Sequence, residues 1–206
     1  MQSTFEATFG EDVTDGGLEG PNDGADSCGV ASAGTIVIRT ANVFNVRATA
    51  PASGKWIPHS GSPTGVDLKM TVQATVSAGS ESWMPRRYGS LGDSPDGDSG
   101  ATAYTRSGGG TAYLASATTN YRTTGNKTDT LNASAVADCL DRIQNDSATW
   151  AISIQQTSEA TGAGSHFTVF EEYTNGTAAN RPQIVVTWKA IRDPIPCGGM
   201  CPGRRL

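Results

Sequence analysis

The chain has 206 residues, a net charge of −5, 17% charged residues and 25 glycines. That length fits one domain with a buried core. The acidic balance excludes binding to nucleic acid by phosphate neutralisation, which needs clustered Lys and Arg. No run of about 18 apolar residues is present to span a membrane.

Residues 1–34 begin MQSTFEATFGED, which has neither the basic nor the apolar stretch of a secretory leader, so none is expected. They continue DVTDGGLEGPNDGADSCG, rich in Asp, Gly, Asn and Pro, and predict a loop-rich N-terminal arm. The domain itself is expected over 35–190. Thr35 to Arg47 predicts two short strands or one bent strand. Val66 to Val76 alternates cleanly, with Val66, Leu68, Met70, Val72, Ala74 and Val76 on one face. Trp83-Met84-Pro85-Arg86-Arg87-Tyr88 then forms an aromatic and basic patch in an acidic chain. Trp83, Arg86, Arg87 and Tyr88 are candidate interface or ligand residues, because Trp, Tyr and Arg are enriched among interface anchors.

The loop SLGDSPDGDSG places Asp93, Asp96 and Asp98 within six residues. Oxygen-rich loops suit calcium, so these three are a candidate site, although a plain turn explains them too. The same holds for Asp12, Asp15, Glu19, Asp23 and Asp26. No other cofactor is expected. Ala101 to Thr105 and Thr111 to Ala117 could pair as a hairpin across the glycines between them. Leu131 to Asn145 predicts the single helix, with Val136, Cys139, Leu140 and Ile143 at helical spacing and Asn132 or Ser134 as cap. Thr149 to Gln155 predicts a strand with Trp150, Ile152 and Ile154 inward. His166 to Phe170 and Ile184 to Trp188 predict a closing hairpin, opened by Pro182. Residues 191–206 are a Pro/Gly-rich tail. Its Cys197 and Cys201 could form a disulfide within or between chains, stay as free thiols, or hold a metal only with further ligands.

The count is eight to ten strands without a βαβ rhythm. It predicts an all-β fold, a jelly-roll-like β-sandwich with one short helix and extended N- and C-terminal arms. No catalytic constellation is visible. No G-x-S-x-G elbow occurs, and a triad would have to use His59 or His166, which read as loop and strand-edge residues. Adjacent Glu171 and Glu172 point to opposite faces and cannot flank one glycosidic bond.

The helix bearing Val136, Leu140 and Ile143, the Trp150/Ile152/Ile154 strand, Phe170-Glu171-Glu172 and the run Asn180 to Trp188 (NRPQIVVTW) resemble the C-terminal half of DNRLRE-type β-sandwich domains. Those domains are themselves similar to jelly-roll carbohydrate-binding modules. The resemblance spans Asn42 to Trp188 and is specific over the last forty residues. It implies structural roles for Glu171, Glu172, Arg181, Pro182 and Trp188, with an acid pairing Arg181 to lock the loop. It also implies a binding or building part without catalytic residues. Two arms that order against a neighbour point to a virion protein. The expected function is a bacteriophage capsid decoration (cement) protein that binds capsid or other virion subunits and copies of itself. The alternative is a carbohydrate-binding or adhesion module at the cell surface that recognises a glycan.

Overall fold

The computed structural model describes residues 2–14, 17–18, 26–31, 36–46, 63–76, 79–144, 149–157, 159 and 165–189. His59, Cys197, Cys201, Asp15, Glu19 and Asp23 lie outside them. The described chain is all-β in class, with ten strands and two α-helices: β1 (Gln2–Thr14), β2 (Gly17–Leu18), β3 (Asp26–Ala31), β4 (Ile36–Asn45), β5 (Pro63–Val76), β6 (Trp83–Arg87), α1 (Gly100–Gly109), β7 (Gly125–Thr130), α2 (Ala133–Gln144), β8 (Thr149–Gln156), β9 (His166–Phe170) and β10 (Gln183–Trp188).

The pairing β1–β10–β5–β9–β3–β4 returns to β1, so six strands close into a barrel. Closure removes the edges that an open sheet would leave in water. The remaining strands are additions: β2 on β1, β7 on β5, and β8 followed by β6 on β4. Alternation decides which side chains fill the interior. Val66, Leu68, Met70 and Val72 of β5, Trp150, Ile152 and Ile154 of β8, and Ile184, Val186 and Trp188 of β10 all enter one apolar cluster. Tyr121 joins Trp83 and Phe170 edge-to-face there, at ring-centroid distances of 5.9 and 5.0 Å.

Several expectations are corrected. The first thirteen described residues are no arm. β1 places Ser3, Phe5 and Ala7 inward at period two and pairs with both β10 and β4. β3 likewise lies inside the barrel order. β9 and β10 do not form a hairpin, because β5 pairs with each of them and they do not pair with each other. Ala74 and Val76 leave the buried face of β5, since the register shifts between Val72 and Ala74. Val76 ends up 47% exposed.

The hairpin expected across residues 101–117 does not form: its second arm is neither strand nor helix, and its first arm lies in helix α1, making two helices where one was expected. Ala103 and Ser107, four apart, are its buried positions. These small side chains let the helix lie close on the outer surface of β1, β4 and β8, where Val13, Ala41, Val43, Tyr88 and Ala151 form a second apolar cluster. The one expected helix appears as α2, capped by the Asn132 carboxamide oxygen, which accepts from the Ser134 and Ala135 amides at 3.0 and 3.3 Å. Its Ala135, Cys139 and Ile143 close onto the main cluster. No helix among the described residues is long and apolar enough to cross a membrane.

Candidate functional site

The outer face of β5 is polar. Between the inward residues stand Asp67, Lys69, Thr71 and Gln73, none of them buried. Antiparallel pairing aligns Lys69 with Thr128 and Thr71 with Asn126 on β7, and aligns Lys69 with Gln183 on β10. Directly opposed residues share a face, so Lys69, Thr71, Asn126, Thr128 and Gln183 form one contiguous polar surface. The turn before β10 rises beside it and contributes Ala179 and Arg181. Together they bound a cleft of about 270 Å3.

Local bonds hold the cleft walls. Thr71 Oγ1 donates to Asn126 Oδ1 at 2.8 Å, and Gln183 Nε2 donates to the Ala178 carbonyl at 2.9 Å. Arg181 is the hinge pin of the turn. Its Nε donates to the Asn175 carbonyl at 2.7 Å and its Nη1 reaches Glu6 Oε2 at 2.9 Å. The expected Glu171 or Glu172 partner for Arg181 is therefore replaced by Glu6 on β1. Glu171 instead accepts from Asn175 Nδ2 at 2.6 Å and Glu172 from Thr174 Oγ1 at 2.7 Å. The acids still fix the turn, but through Asn175 and Thr174. Pro182 precedes β10 and its carbonyl accepts from the Ala7 amide at 2.8 Å, while Trp188 is buried and donates to Ser3 Oγ at 3.1 Å.

The aromatic members of the aromatic and basic patch lie in the core, while Arg86 and Arg87 stay half-buried. Trp83 and Tyr88 are 1% and 0% exposed, one in each apolar cluster. Arg87 pairs with Asp138 at 3.3 Å, and Arg86 donates to the Gly110 carbonyl at 3.1 Å. The strand period explains this: β6 turns Trp83 inward as it pairs with β8. Tyr113 and Tyr121 are also fully buried, and Arg39 covers the Tyr104 ring at 4.0 Å from its centroid.

The loop of Asp93, Asp96 and Asp98, where calcium or a plain turn was expected, is held by hydrogen bonds and ion pairs. Arg106 of α1 supplies the positive charge. Its Nη1 donates to Asp98 at 2.7 Å and its Nε lies 3.5 Å from Asp93. Tyr88 donates to Asp98 Oδ2 at 2.8 Å, and the Ser90 amide donates to Asp93 Oδ2 at 2.8 Å. Asp96 is exposed. Among the described residues, no group of three or more His, Cys, Asp or Glu side chains is arranged to hold a metal ion. Asp12 and Asp26 are buried on β1 and β3, with Asp12 Oδ1 accepting from the Ser27 amide.

Sequence reasoning missed Glu11, which belongs to this same corner. It is buried on the outer side of β1. Desolvation, then the charges of Asp96 and Asp98, raise its carboxyl from 4.5 to about 7. Several other titratable groups are buried in the core. His166 opens β9 as a buried residue, its Nδ1 3.2 Å from Gln156 Oε1. Burial pushes the Cys28 thiol far up and the Cys139 thiol to about 12. The Tyr113 hydroxyl, also raised by burial, donates to Asp138 Oδ2 at 2.6 Å and accepts from Trp150 Nε1 at 3.0 Å.

No family model and no curated protein matches this chain. The cleft on β5, β7 and the turn before β10 is therefore judged on its chemistry alone. It offers hydroxyls, carboxamides and cations on a rigid sheet, which suits reversible recognition of a hydroxyl-rich ligand.

Proposed function

We propose that the protein is a non-catalytic binding module that recognises a glycan at an extracellular surface through the cleft over β5. The observation that carries this reading is the convergence of Lys69, Thr71, Asn126, Thr128, Arg181 and Gln183 on one cleft. Hydroxyls and amides held by strand pairing present donors and acceptors at fixed spacing, as sugar hydroxyls require. The resemblance of Asn180 to Trp188 to carbohydrate-binding-like jelly rolls supports the same reading, at the level of analogy between folds.

The capsid-decoration reading drew its weight from two extended termini. With residues 2–14 and 26–31 inside the barrel, that weight falls on the C-terminal tail alone, and the glycan reading is preferred. The test is a glycan array probed with the full chain and with Asn126→Ala/Thr71→Ala. Binding to a defined glycan class that the double variant loses, at unchanged melting temperature, supports the proposal. Binding to no glycan, together with co-sedimentation with phage shells at fixed stoichiometry, refutes it.

A further inference from the structure

Charge distribution around the cleft narrows the ligand. Arg39, Arg87, Arg106, Arg142 and Arg181 each pair with a carboxylate. Lys69 and Lys127, which both line the cleft, pair with none among the described residues. Among the described residues that line the cleft none is a carboxylate, and Glu6 meets Arg181 Nη1 at its rim at 2.9 Å. Lys127 lies across from Met70, on the other side of β7, and donates to Thr123 Oγ1 at 2.7 Å. It contributes positive field there, while Lys69 projects from the exposed face itself. Arg181 commits Nε and one Nη1 proton to Asn175 and Glu6, which leaves Nη2 as a donor.

A neutral sugar would be held mainly by stacking on an exposed aromatic ring. The described tryptophans cannot serve: Trp83, Trp150 and Trp188 are at most 3% exposed. An ionised sugar needs no such ring, because a carboxylate accepts charge-assisted hydrogen bonds from a lysine and from an arginine fork.

We propose that the cleft selects an acidic glycan, one whose sugars carry a carboxylate, as uronic acids do. The carboxylate would sit between Lys69 and Arg181. The sugar hydroxyls would meet Thr71, Asn126, Thr128 and Gln183. This inference rests on the glycan reading above.

The test is calorimetric titration of the full chain with an oligogalacturonate and with a neutral oligosaccharide of equal length, at low salt and at about 0.3 M salt. Lys69→Gln is the variant, since the side chain is exposed and pairs with no carboxylate among the described residues. The expected result is preference for the oligogalacturonate, weakening with salt, and a loss of about tenfold in affinity in Lys69→Gln. Equal binding of both sugars, untouched by Lys69→Gln, overturns the acidic class and leaves the glycan reading standing. Binding of inorganic sulfate as tightly as the oligogalacturonate also overturns it, as the site would then be a simple anion site. Binding of neither sugar, with a blank glycan array, removes the glycan reading and this inference with it.

Discussion

Replacing Glu11 with Gln should stabilise the protein in neutral and mildly alkaline solution and leave it unchanged in acid. Glu11 is 4% exposed, and burial beside Asp96 and Asp98 raises its carboxyl from 4.5 to about 7. A raised folded value means the folded state prefers the neutral carboxyl. Its stabilising effect is full below about pH 4.5 and is lost as pH rises through 7. The shift of about 2.5 units corresponds to roughly 3.4 kcal/mol at 1.36 kcal/mol per unit. Solvent screening of the exposed Asp96 reduces this to about 2 kcal/mol. Glu11→Gln keeps the shape and removes the charge. It should therefore gain about 2 kcal/mol at pH 8, or roughly 4–8 °C in melting temperature for a chain of this size, and gain nothing at pH 4. Thermal unfolding of both proteins from pH 4 to 8 measures it. An equal change at both pH values, or a loss at pH 8, would refute the assignment of a frustrated carboxylate beneath α1.

Three further substitutions or reactions test the packing. Tyr113→Phe removes the hydroxyl that joins Asp138 to Trp150 and leaves a buried indole N–H without its acceptor. Urea unfolding should show a loss of about 2–3 kcal/mol. Gly110→Ala would drive a Cβ into the Arg87 carbonyl oxygen, where α1 ends against β6. A soluble but loosened protein, with the Arg106–Asp98 pair broken and the melting temperature down by several degrees, is expected. Cys28 and Cys139 are both fully buried with raised pKa values, so an alkylating reagent at pH 8 should leave both unlabelled in the native protein and modify both in denaturant, as peptide masses would show.

Strands with strict alternation were legible from the sequence: Val66, Leu68, Met70 and Val72 of β5, Trp150, Ile152 and Ile154 of β8, and Ile184, Val186 and Trp188 of β10 point inward as the pattern requires. Helix α2 was legible for the same reason, since Cys139 and Ile143 recur at helical spacing and Asn132 caps them. The misses share a cause. Ser3, Phe5 and Ala7 alternate in β1, but the Gly and Asp that follow read as turn formers. They stay in the strand because pairing with β4 continues from Gly10 to Thr14. Gly10 itself is needed, because a Cβ there would come within 2.9 Å of Asn42 Oδ1. Helix α1 carries no apolar stripe to announce it, as it buries only Ala103 and Ser107. The insertion of β5 between β9 and β10 is a non-local fact that no local pattern encodes. The cleft followed the same rule. Lys69 and Thr71 stand at outward positions of a recognisable strand, yet their neighbours Asn126, Thr128 and Gln183 come from strands whose pairing only the fold reveals.

The two sides of the barrel divide the work. Under α1, charges are bound to one another: Arg106 to Asp98, Arg39 to Glu159, with the Glu11 carboxyl raised to about 7 by burial and its acidic neighbours. Such a corner answers to pH and to packing, because each group there is partly desolvated and depends on its neighbour. Over β5, Lys69 and Lys127 meet no carboxylate among the described residues and the polar side chains are largely exposed, so substitutions there remove little that the folded state uses. Strand β10 separates β1 from β5, and Glu11 lies further along β1, where that strand pairs with β4, so Glu11 and Lys69 are more than about 10 Å apart. Effects at that separation, without shared partners, add to within about 0.5 kcal/mol. Substitutions at Glu11 and at Lys69 should therefore act independently, with the pH response on one face and the proposed ligand chemistry on the other.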